Sequence, residues 1–249
     1  MDMVTTELMG TNCGYIDFHT HILPEIDDGS ASAGMSEIML TSLKKQGVDS
    51  VVLTPHYYSD RESMDSFLKR REAAVSKIQP IAEKLKMQLY PACELYFTDY
   101  IFNYEDISDL CVNKGKYVLT EFPFSCTFSD GTIMKIERLM ATLNVIPILA
   151  HIERYPPLLK NHSCRSELEE MGCLMQVNLG SFVKTGHMQR KAMIKGIKDG
   201  TIHIVGTDCH NNTTRPPQFS QGFQVICKKA GSQYADGLVE NAKKILQCK

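Results

Sequence analysis

With 249 residues and a net charge of −2 from 27 basic and 29 acidic side chains, the chain can bury a large core but has no positive field that would attract nucleic acid. No apolar stretch reaches the roughly 18 residues that span a bilayer, and residues 1–14 lack the positive start and apolar run of a signal peptide. The nine cysteines are therefore expected to be reduced thiols of a cytoplasmic protein, not a disulfide framework.

Apolar runs of β type alternate with amphipathic runs along the chain. Seven runs are predicted as strands: YIDF (15–18), SVVLT (50–54), QLYPA (88–92), KYVLTEF (116–122), VIPILA (145–150), CLMQVNL (173–179) and IHIVG (202–206). Apolar residues recur at helical spacing in 62–87, 133–143 and 238–245. Pro80 is expected to break or kink the first of these helices. Strands that alternate with helices predict an α/β fold with a parallel sheet, which at this length is expected to close into a barrel.

The chain shows no sign of a second domain. It contains no low-complexity segment, no long linker and no repeat with a period of 20–50 residues. We therefore predict one domain over residues 15–249, preceded by a short, poorly ordered extension over residues 1–14.

Ionisable side chains follow or end six of the seven predicted strands. In chain order they are Asp17, His19, His21 and Asp27-Asp28-Gly29 after the first, His56 after the second, Glu94 after the third, Glu121 in the fourth, His151 and Arg154 after the fifth, and Asp208 and His210 after the seventh. Because the loops that follow the strands of a parallel barrel meet at one face, these side chains are expected to converge. Five imidazoles and up to four carboxylates are too many for one ion, and donors without thiolate suit Mn²⁺, Fe or Zn²⁺. The pattern predicts a site with several metals, of the kind that hydrolyses phosphate esters.

Each motif taken alone has an ordinary structural explanation. Asp27-Asp28-Gly29 suits a simple turn, His151 could be a hydrogen-bonded core histidine, and Glu94 could be a surface residue. The metal hypothesis therefore depends on the joint pattern. The remaining histidines do not follow predicted strands and receive no functional assignment; they are His162, His187 and His203.

The stretch GTDCHNNTTR, residues 206–215, admits two interpretations. Cys209, five residues and Arg215 have the spacing of a phosphatase loop in which a thiolate attacks phosphorus. Asp208-x-His210 instead suits a divalent metal. A thiolate loop curls its backbone N–H groups around the phosphate, commonly with the help of glycine. No glycine lies between Cys209 and Arg215, which favours the metal interpretation.

The motifs DFHTHILPEIDDG, LTPH, AHIERY and DCHN followed by RPP resemble those of the PHP (polymerase and histidinol phosphatase) superfamily. More narrowly, they resemble the manganese-dependent tyrosine-protein phosphatases encoded in bacterial capsular and exopolysaccharide loci. The resemblance runs from about residue 15 to the C-terminus. It implies a distorted (βα)7 TIM-like barrel with three metal ions at the C-terminal mouth of the strands. The implied ligands are His19, His21, Glu94 and Asp208 for one ion, Glu94, Glu121 and His151 for a second, and Asp28, His56 and His210 for the third.

The resemblance also implies the reaction and the substrate. A metal-bridged hydroxide is expected to attack the phosphorus of phosphotyrosine, while Arg154 and Arg215 hold the phosphate. The general acid is left open between His210 and a metal-bound water. The implied substrate is the phosphorylated tail of a membrane-bound tyrosine kinase that controls polysaccharide synthesis. Aromatic residues that could flank the phenyl ring, or else pack in the core, are Tyr57, Tyr58, Tyr96 and Phe97.

Two other functions remain open at this point. One is a small-molecule phosphatase of the same superfamily, such as a histidinol-phosphatase. The other is a metal-stabilised binding module without turnover, although two arginines close to the predicted ligands argue against it.

Overall fold

The computed structural model describes residues 14–160 and 162–247 and shows short parallel strands that alternate with helices. The strands are β1 Tyr15–Thr20, β2 Val48–Leu53, β3 His56–Tyr58, β4 Gln88–Pro91, β5 Glu94–Tyr96, β6 Tyr117–Glu121, β7 Ile146–Leu149, β8 Leu174–Asn178 and β9 Ile204–Gly206. The α-helices are α1 Ala33–Lys45, α2 Met64–Leu85, α3 Asp130–Leu143, α4 Pro156–Lys160, α5 His162–Glu170, α6 Leu179–Lys184, α7 His187–Lys198, α8 Phe219–Lys229 and α9 Ser232–Gln247. The predicted α/β class is confirmed. The extension predicted at residues 1–14 lies, for residues 1–13, outside the described part of the chain.

Within residues 14–160 and 162–247, nine short strands occupy seven positions around the sheet. The strands pair in the orders β1-β2-β4 and β3-β5-β6-β7-β8-β9, and every strand pairing is parallel. The strands β3 and β5 continue the lines of β2 and β4 after a two-residue break. Two backbone hydrogen bonds continue the pairing across that break: Ala92 N–H donates to Leu53 O at 2.9 Å, and Glu94 N–H donates to Pro55 O at 3.0 Å. The predicted strands ended before β3 and β5, because three-residue strands leave almost no periodic signal.

Backbone hydrogen bonds join the last strand position to the first. The N–H of Asp208 donates to His19 O at 2.7 Å, and the N–H of His21 donates to Cys209 O at 2.9 Å. Gly206 permits this approach, because a Cβ there would lie 2.6 Å from both N and Cβ of His19. The ring closure brings the first and last histidine motifs, about 190 residues apart, side by side.

The core has an inner and an outer part. An inner cluster contains strand residues such as Phe18, Leu119 and Ile148, and also Ala242 and Ile245 of α9. A larger outer cluster packs the helices against the sheet. No helix among the described residues is long and apolar enough to cross a membrane. The seven cysteines in the described ranges carry free thiols, as expected.

Pro80 does not break α2, so the predicted break is wrong. The helix runs unbroken from Met64 to Leu85, with Pro80 on its exposed side. Proline inside a helix costs about 3 kcal/mol. The buried face of the helix, which includes Ile78 before the proline and Ala82 after it, packs into the outer core and offsets that cost.

Candidate metal centre

The carboxyl ends of the strands bring nitrogen and oxygen donors from distant parts of the chain to one point. His19 Nε2 and His21 Nε2 are 3.2 Å apart. Each lies 3.2 Å from Glu94 Oε2, and they lie 3.7 and 3.5 Å from Asp208 Oδ1. All four side chains are buried. These four residues are the first ligand set that the family resemblance implies.

The spacing of three of these atoms suits a metal ion. Nε2 of His19, Nε2 of His21 and Oε2 of Glu94 lie 3.2 Å from one another. An ion about 1 Å out of the plane of such a triangle is about 2.1 Å from each corner, a normal bond length from a divalent ion to histidine nitrogen or carboxylate oxygen. Asp208 Oδ1 lies beside the two histidines at 3.7 and 3.5 Å but outside this close group.

Hydrogen bonds on the far side of the two rings decide which nitrogen faces this space. Nδ1 of His21 donates to Asp27 Oδ2 at 2.7 Å, and Nδ1 of His19 donates to Gln176 Oε1 at 3.2 Å. A neutral imidazole protonated at Nδ1 carries its lone pair on Nε2. Two such lone pairs then face each other at 3.2 Å, an arrangement that a cation between them would stabilise.

Glu94 connects this cluster to a second one. Its other oxygen, Oε1, lies 2.9 Å from His151 Nε2, which also lies 3.2 Å from Glu121 Oε1. Nδ1 of His56 lies 3.2 Å from Glu94 Oε2 and 3.9 Å from Glu121 Oε2, so His56 could replace His151 in a group around Glu94 and Glu121. His151 of the predicted second ligand set contacts both carboxylates, but the donor atoms that all lie within 4.8 Å of one another here belong to His56, Glu94 and Glu121.

A third group lies at the rim of the site. Asp28 Oδ1 is 3.5 Å from His56 Nε2 and 3.4 Å from His210 Nε2. His21 belongs to the same group of donor atoms. Nδ1 of His210 donates to the backbone oxygen of Asp208 at 3.1 Å, which leaves Nε2 free to face Asp28. These three residues are the predicted third ligand set, and Asp28 is its solvent-exposed member.

The ionisation states suit cation binding. Burial tends to raise the pKa of Glu94, but His19, His151 and the other histidines hold it well below its usual value. Burial also tends to raise the pKa of Asp208, but the charges of His19 and His21 outweigh burial and lower this pKa. For His210, burial and the neighbouring His21 lower the pKa to about 3. Glu94 and Asp208 are thus ionised and His210 is neutral, which are the forms that bind metals. Burial lowers the pKa of His21 and of His151, but neighbouring carboxylates outweigh it and raise both, to about 9 for His151, so a bound cation would replace a proton on each of these rings.

Two of these residues have a strained backbone. His151 has a φ of 34° and Asp208 a φ of 53°, both in the left-handed region that residues other than glycine rarely occupy. Such a conformation costs on the order of 1–3 kcal/mol and is found mainly at functional sites. At both positions the strain occurs where a strand ends and its side chain joins the cluster.

Sequence reasoning missed the residues that orient the donors. Asp27 had been assigned to a turn, yet it accepts hydrogen bonds from His21 and from the backbone of His56. Gln176 binds His19 and the backbone N–H of His151. Asn178 donates to Asp208 Oδ2 at 2.7 Å. The available signal was the polar pair Gln176 and Asn178 within an otherwise apolar strand, because metal-binding histidines need acceptors for their second nitrogen.

Both predicted phosphate-binding arginines reach the site. Nη2 of Arg154 lies 2.8 Å, and Nη2 of Arg215 2.7 Å, from Asp208 Oδ2. Asp208 therefore presents Oδ1 to the histidines and Oδ2 to the arginines. Both guanidinium groups are partly exposed and line an open cavity of about 290 Å³ over the donors, called here the mouth cavity. An anion in this cavity would meet both arginines.

The structure contradicts the thiolate interpretation of residues 206–215. Cys209 is 0% exposed within the outer core, and burial raises its pKa well above the usual value. The N–H groups of Thr213, Thr214 and Arg215 donate to Asn211 Oδ1 at 3.0, 2.7 and 3.0 Å. They are therefore not directed at a phosphate, and the loop instead returns Arg215 to the vicinity of Asp208.

Aromatic side chains form two walls of the mouth cavity. Tyr58 and Tyr96 line the cavity together, with ring centroids 5.2 Å apart. Phe124, which the sequence analysis did not single out, lines the cavity and is 57% exposed. Its ring centroid is 5.8 Å from that of His151. Tyr57 and Phe97, proposed from the sequence as alternatives, are buried in the outer core.

Comparisons with known proteins agree with this architecture. The profile of the family described as capsular polysaccharide synthesis, CpsB/CapC, matches residues 15–247. Tyrosine-protein phosphatase CpsB of Streptococcus pneumoniae is 31% identical over 245 residues, which cover 93% of this chain and 98% of that protein. Tyrosine-protein phosphatase YwqE of Bacillus subtilis (strain 168) is 30% identical over 239 residues, which cover 93% of this chain and 91% of that protein.

Solved structures show the same fold. One chain from the crystal structures of YwqE of Bacillus subtilis and CpsB of Streptococcus pneumoniae, described as unique metal-dependent tyrosine phosphatases, superposes with a TM-score of 0.79 at 26% identity. That match covers 93% of this chain and 94% of the other. A phosphotriesterase homology protein from Escherichia coli superposes with a TM-score of 0.63 at 12% identity over 94% of this chain and 99% of the other. The second likeness concerns the fold alone.

Proposed function

Since the chain belongs to the capsular polysaccharide synthesis family CpsB/CapC, we propose that it is a metal-dependent phosphatase that hydrolyses phosphotyrosine in proteins. One observation carries the proposal. Three adjacent groups of donor atoms, two of which share Glu94, border an open cavity that Arg154 and Arg215 also line. The relatives compared above bear the name of tyrosine phosphatases, which favours this activity over that of a histidinol-phosphatase.

We assign three divalent ions to the donor groups. His19, His21, Glu94 and Asp208 would hold the first, Glu94, Glu121 and His151 the second, and Asp28, His56 and His210 the third. Donors of nitrogen and oxygen without sulfur suit Mn²⁺, our preferred ion, and also Fe and Zn²⁺. When bound, such ions supply a nucleophile from water at neutral pH and polarise the phosphoryl group.

Arg154 and Arg215 act on the phosphate. A planar guanidinium can hold two phosphate oxygens, and its charge offsets the negative charge that those oxygens carry in the transition state. Without substrate, both arginines are held at Asp208 Oδ2. Asn178 also donates to that oxygen, so Asp208 keeps a hydrogen-bond partner when the arginines turn to phosphate.

His210 is better suited to bind a metal than to donate a proton. Burial and His21 lower its pKa to about 3, so it carries no proton on Nε2 near neutral pH. The leaving tyrosyl oxygen has a free pKa of about 10 and needs less help from a general acid than an alkoxide would. We therefore assign His210 to the third ligand set.

The aromatic walls suit the phenyl ring of the substrate. A ring held above the donors would lie between Phe124 and the pair formed by Tyr58 and Tyr96. Cζ of Arg61 lies 4.1 Å from the centroid of the Tyr58 ring, a cation–π contact that helps to fix this ring. Aromatic contacts of this kind contribute about 0.5–1.5 kcal/mol each beyond simple burial. They would favour an aryl phosphate over an alkyl phosphate.

Membership of the family supports a proposal for the physiological substrate. We propose a phosphotyrosine-bearing protein of capsular polysaccharide synthesis, specifically the tail of a membrane-bound bacterial tyrosine kinase, dephosphorylated in the cytoplasm. We also propose that residues 15–249 form one catalytic domain.

Two measurements test the function. Purified protein loaded with Mn²⁺ should hydrolyse phosphotyrosine peptides at a kcat/KM well above that for histidinol phosphate or other alkyl phosphates. Dialysis against a chelator should abolish the activity, and Mn²⁺ should restore it. A preference for histidinol phosphate would support the alternative enzyme, and no turnover of any phosphate ester by the metal-loaded protein would support a binding module. Full activity after verified removal of metal would refute metal dependence.

A further inference from the structure

A second cavity lies beside the mouth cavity on the same face of the barrel. It has a volume of about 290 Å³ and is formed by the segments that follow β7, β8 and β9. Its lining includes Arg154, Asn178, Ser181, Lys184, Thr185 and Arg215. We call it the Lys184 cavity. Its volume is near the lower end for ligand sites, so it suits a side chain rather than a long stretch of peptide.

The two cavities share a wall. Arg154, Asp208 and Arg215 line both of them. Because both guanidinium groups are tied to Asp208 Oδ2 at 2.8 and 2.7 Å, they form a bridge between the cavities. A phosphate over the donors and a group in the Lys184 cavity would therefore lie on opposite sides of the same arginine pair.

The charge of the Lys184 cavity favours an anion. Three of its lining side chains are cations, namely Arg154, Lys184 and Arg215, and its one carboxylate, Asp208, is already held by both arginines. Lys184 is exposed, and no carboxylate oxygen within the described ranges lies within 4.0 Å of its ammonium group. The cavity thus has positive charge that the protein itself leaves uncompensated.

Four neutral polar side chains of the cavity are engaged elsewhere. Ser181 Oγ donates to Glu153 at 2.8 Å, and Thr185 Oγ1 donates to Ser181 O at 2.7 Å. Thr207 Oγ1 donates to Asp17 at 2.6 Å, and Asn178 donates to Asp208. The donors that remain for a ligand are the cations and the amide of Gln218, whose nitrogen lies 3.5 Å from Gln221 Oε1, so positive charge dominates and favours an anion.

We propose that the Lys184 cavity binds a second anionic group of the substrate protein, a carboxylate or a phosphate a few residues from the phosphotyrosine. This inference rests on the proposed phosphotyrosine activity. An extended peptide advances about 3.3 Å per residue, so a side chain one to three positions away can reach a neighbouring cavity. The enzyme would thereby prefer phosphotyrosine in acidic or multiply phosphorylated sequences.

The test compares three phosphotyrosine peptides of the same length. One carries glutamate two residues from the phosphotyrosine, one carries glutamine there, and one carries a second phosphotyrosine there, with matching sets that place the group on the other side. For the Mn²⁺-loaded wild-type protein, we expect a higher kcat/KM for at least one anionic peptide than for the glutamine peptide. Lys184→Ala should reduce that preference about three- to fivefold, and Lys184→Glu should reduce it further. Turnover of p-nitrophenyl phosphate should stay unchanged in both variants.

Binding measurements separate this inference from the proposed activity. Fluorescence anisotropy measures the affinity of peptides that carry a non-hydrolysable phosphonate in place of the phosphate. It therefore detects binding to the Lys184 cavity even if the enzyme hydrolyses no peptide. Lys69→Ala, on the exposed side of α2, is the matched control and should behave as wild type. Equal affinities and equal kcat/KM values for the anionic and glutamine peptides would overturn the inference, as would a Lys184→Ala protein with the wild-type preference. An effect of Lys184→Ala only on inhibition by free inorganic phosphate would also overturn it. Failure to hydrolyse any phosphotyrosine peptide would instead overturn the proposed function.

Discussion

Arg215 Nη2 lies 2.7 Å from Asp208 Oδ2. Asp208 thus faces the donor cluster with Oδ1 and holds a phosphate-binding arginine with Oδ2. Arg154 shares the same oxygen at 2.8 Å. Asp208 is therefore the residue of the first ligand set that both arginines contact; they do not contact His19 or His21. Arginine and metal contributions should consequently be separable by mutation.

Arg154→Ala and Arg215→Ala should each retain bound metal and lose catalysis. Asn178 still holds Asp208 Oδ2 in both variants, so the ligand geometry should survive. Loss of one such charge-stabilising contact typically reduces the rate roughly 10²–10³-fold. Elemental analysis and kcat for a phosphotyrosine peptide check both parts. Arg138→Ala on α3, whose guanidinium lies over Phe102, serves as the control. Near-normal turnover in either variant would remove that arginine from the mechanism.

Asp27→Asn should weaken metal binding without removing a ligand. Asp27 fixes the proton of His21 on Nδ1 through a 2.7 Å hydrogen bond, and the loss of such an orienting carboxylate typically costs 10–100-fold in metal affinity. Calorimetric titration of the chelator-treated protein with Mn²⁺ measures this affinity. Asp60→Asn, at an exposed position, should leave it unchanged. Equal affinities for the Asp27→Asn and wild-type proteins would assign Asp27 to the turn alone.

Cys209→Ala should stay within a few-fold of wild-type activity, and iodoacetamide should not inactivate the enzyme through this thiol. The side chain is buried and its pKa is raised, so no thiolate is present to attack phosphorus. Asp208→Ala, one residue away, should lose both metal and activity. Kinetics and elemental analysis of the two variants provide the comparison. An inactive Cys209→Ala protein with its metal intact, together with a trapped phosphocysteine in the wild type, would reinstate the thiolate mechanism.

Phe124→Ala should raise KM for aryl phosphates more than KM for alkyl phosphates. Removal of one aromatic wall should raise KM for a phosphotyrosine peptide about fivefold, which corresponds to about 1 kcal/mol. KM for an alkyl phosphate should change little, because such a substrate has no ring to contact the wall. Tyr100→Ala, another exposed aromatic that does not line the mouth cavity, is the matched control. Equal effects on both substrate classes would show that Phe124 only shapes the loop.

Gly206→Ala should impair both stability and metal binding. The new Cβ would lie 2.6 Å from the backbone nitrogen of His19, so β9 would have to move away from β1 at the point where the ring closes. Gly131→Ala is the contrasting variant, because a Cβ there meets nothing within 4 Å and alanine favours the helix by about 1 kcal/mol. Thermal unfolding and Mn²⁺ titration of both proteins measure the difference. A Gly206→Ala protein with wild-type stability and affinity would mean that the strands can separate without harm.

The periodicity and spacing of the sequence by themselves determined the α/β class, the seven strand positions and the grouping of donors after the strands. These are local properties, since a strand or helix repeats its apolar residues over a few positions, and the loops after parallel strands share one face. The motifs around His19 and Asp208 also sufficed to indicate the family. Only the tertiary structure decided which atoms meet. The contact of Thr207 with Asp17 spans 190 residues, and the roles of Asp27, Gln176 and Phe124 depend on such contacts. The side chain of Cys209 is buried because Asp208 and His210 on either side of it join the donor cluster. The pattern of apolar residues in a segment of ten residues cannot specify this arrangement, because it depends on how the strands close into a ring.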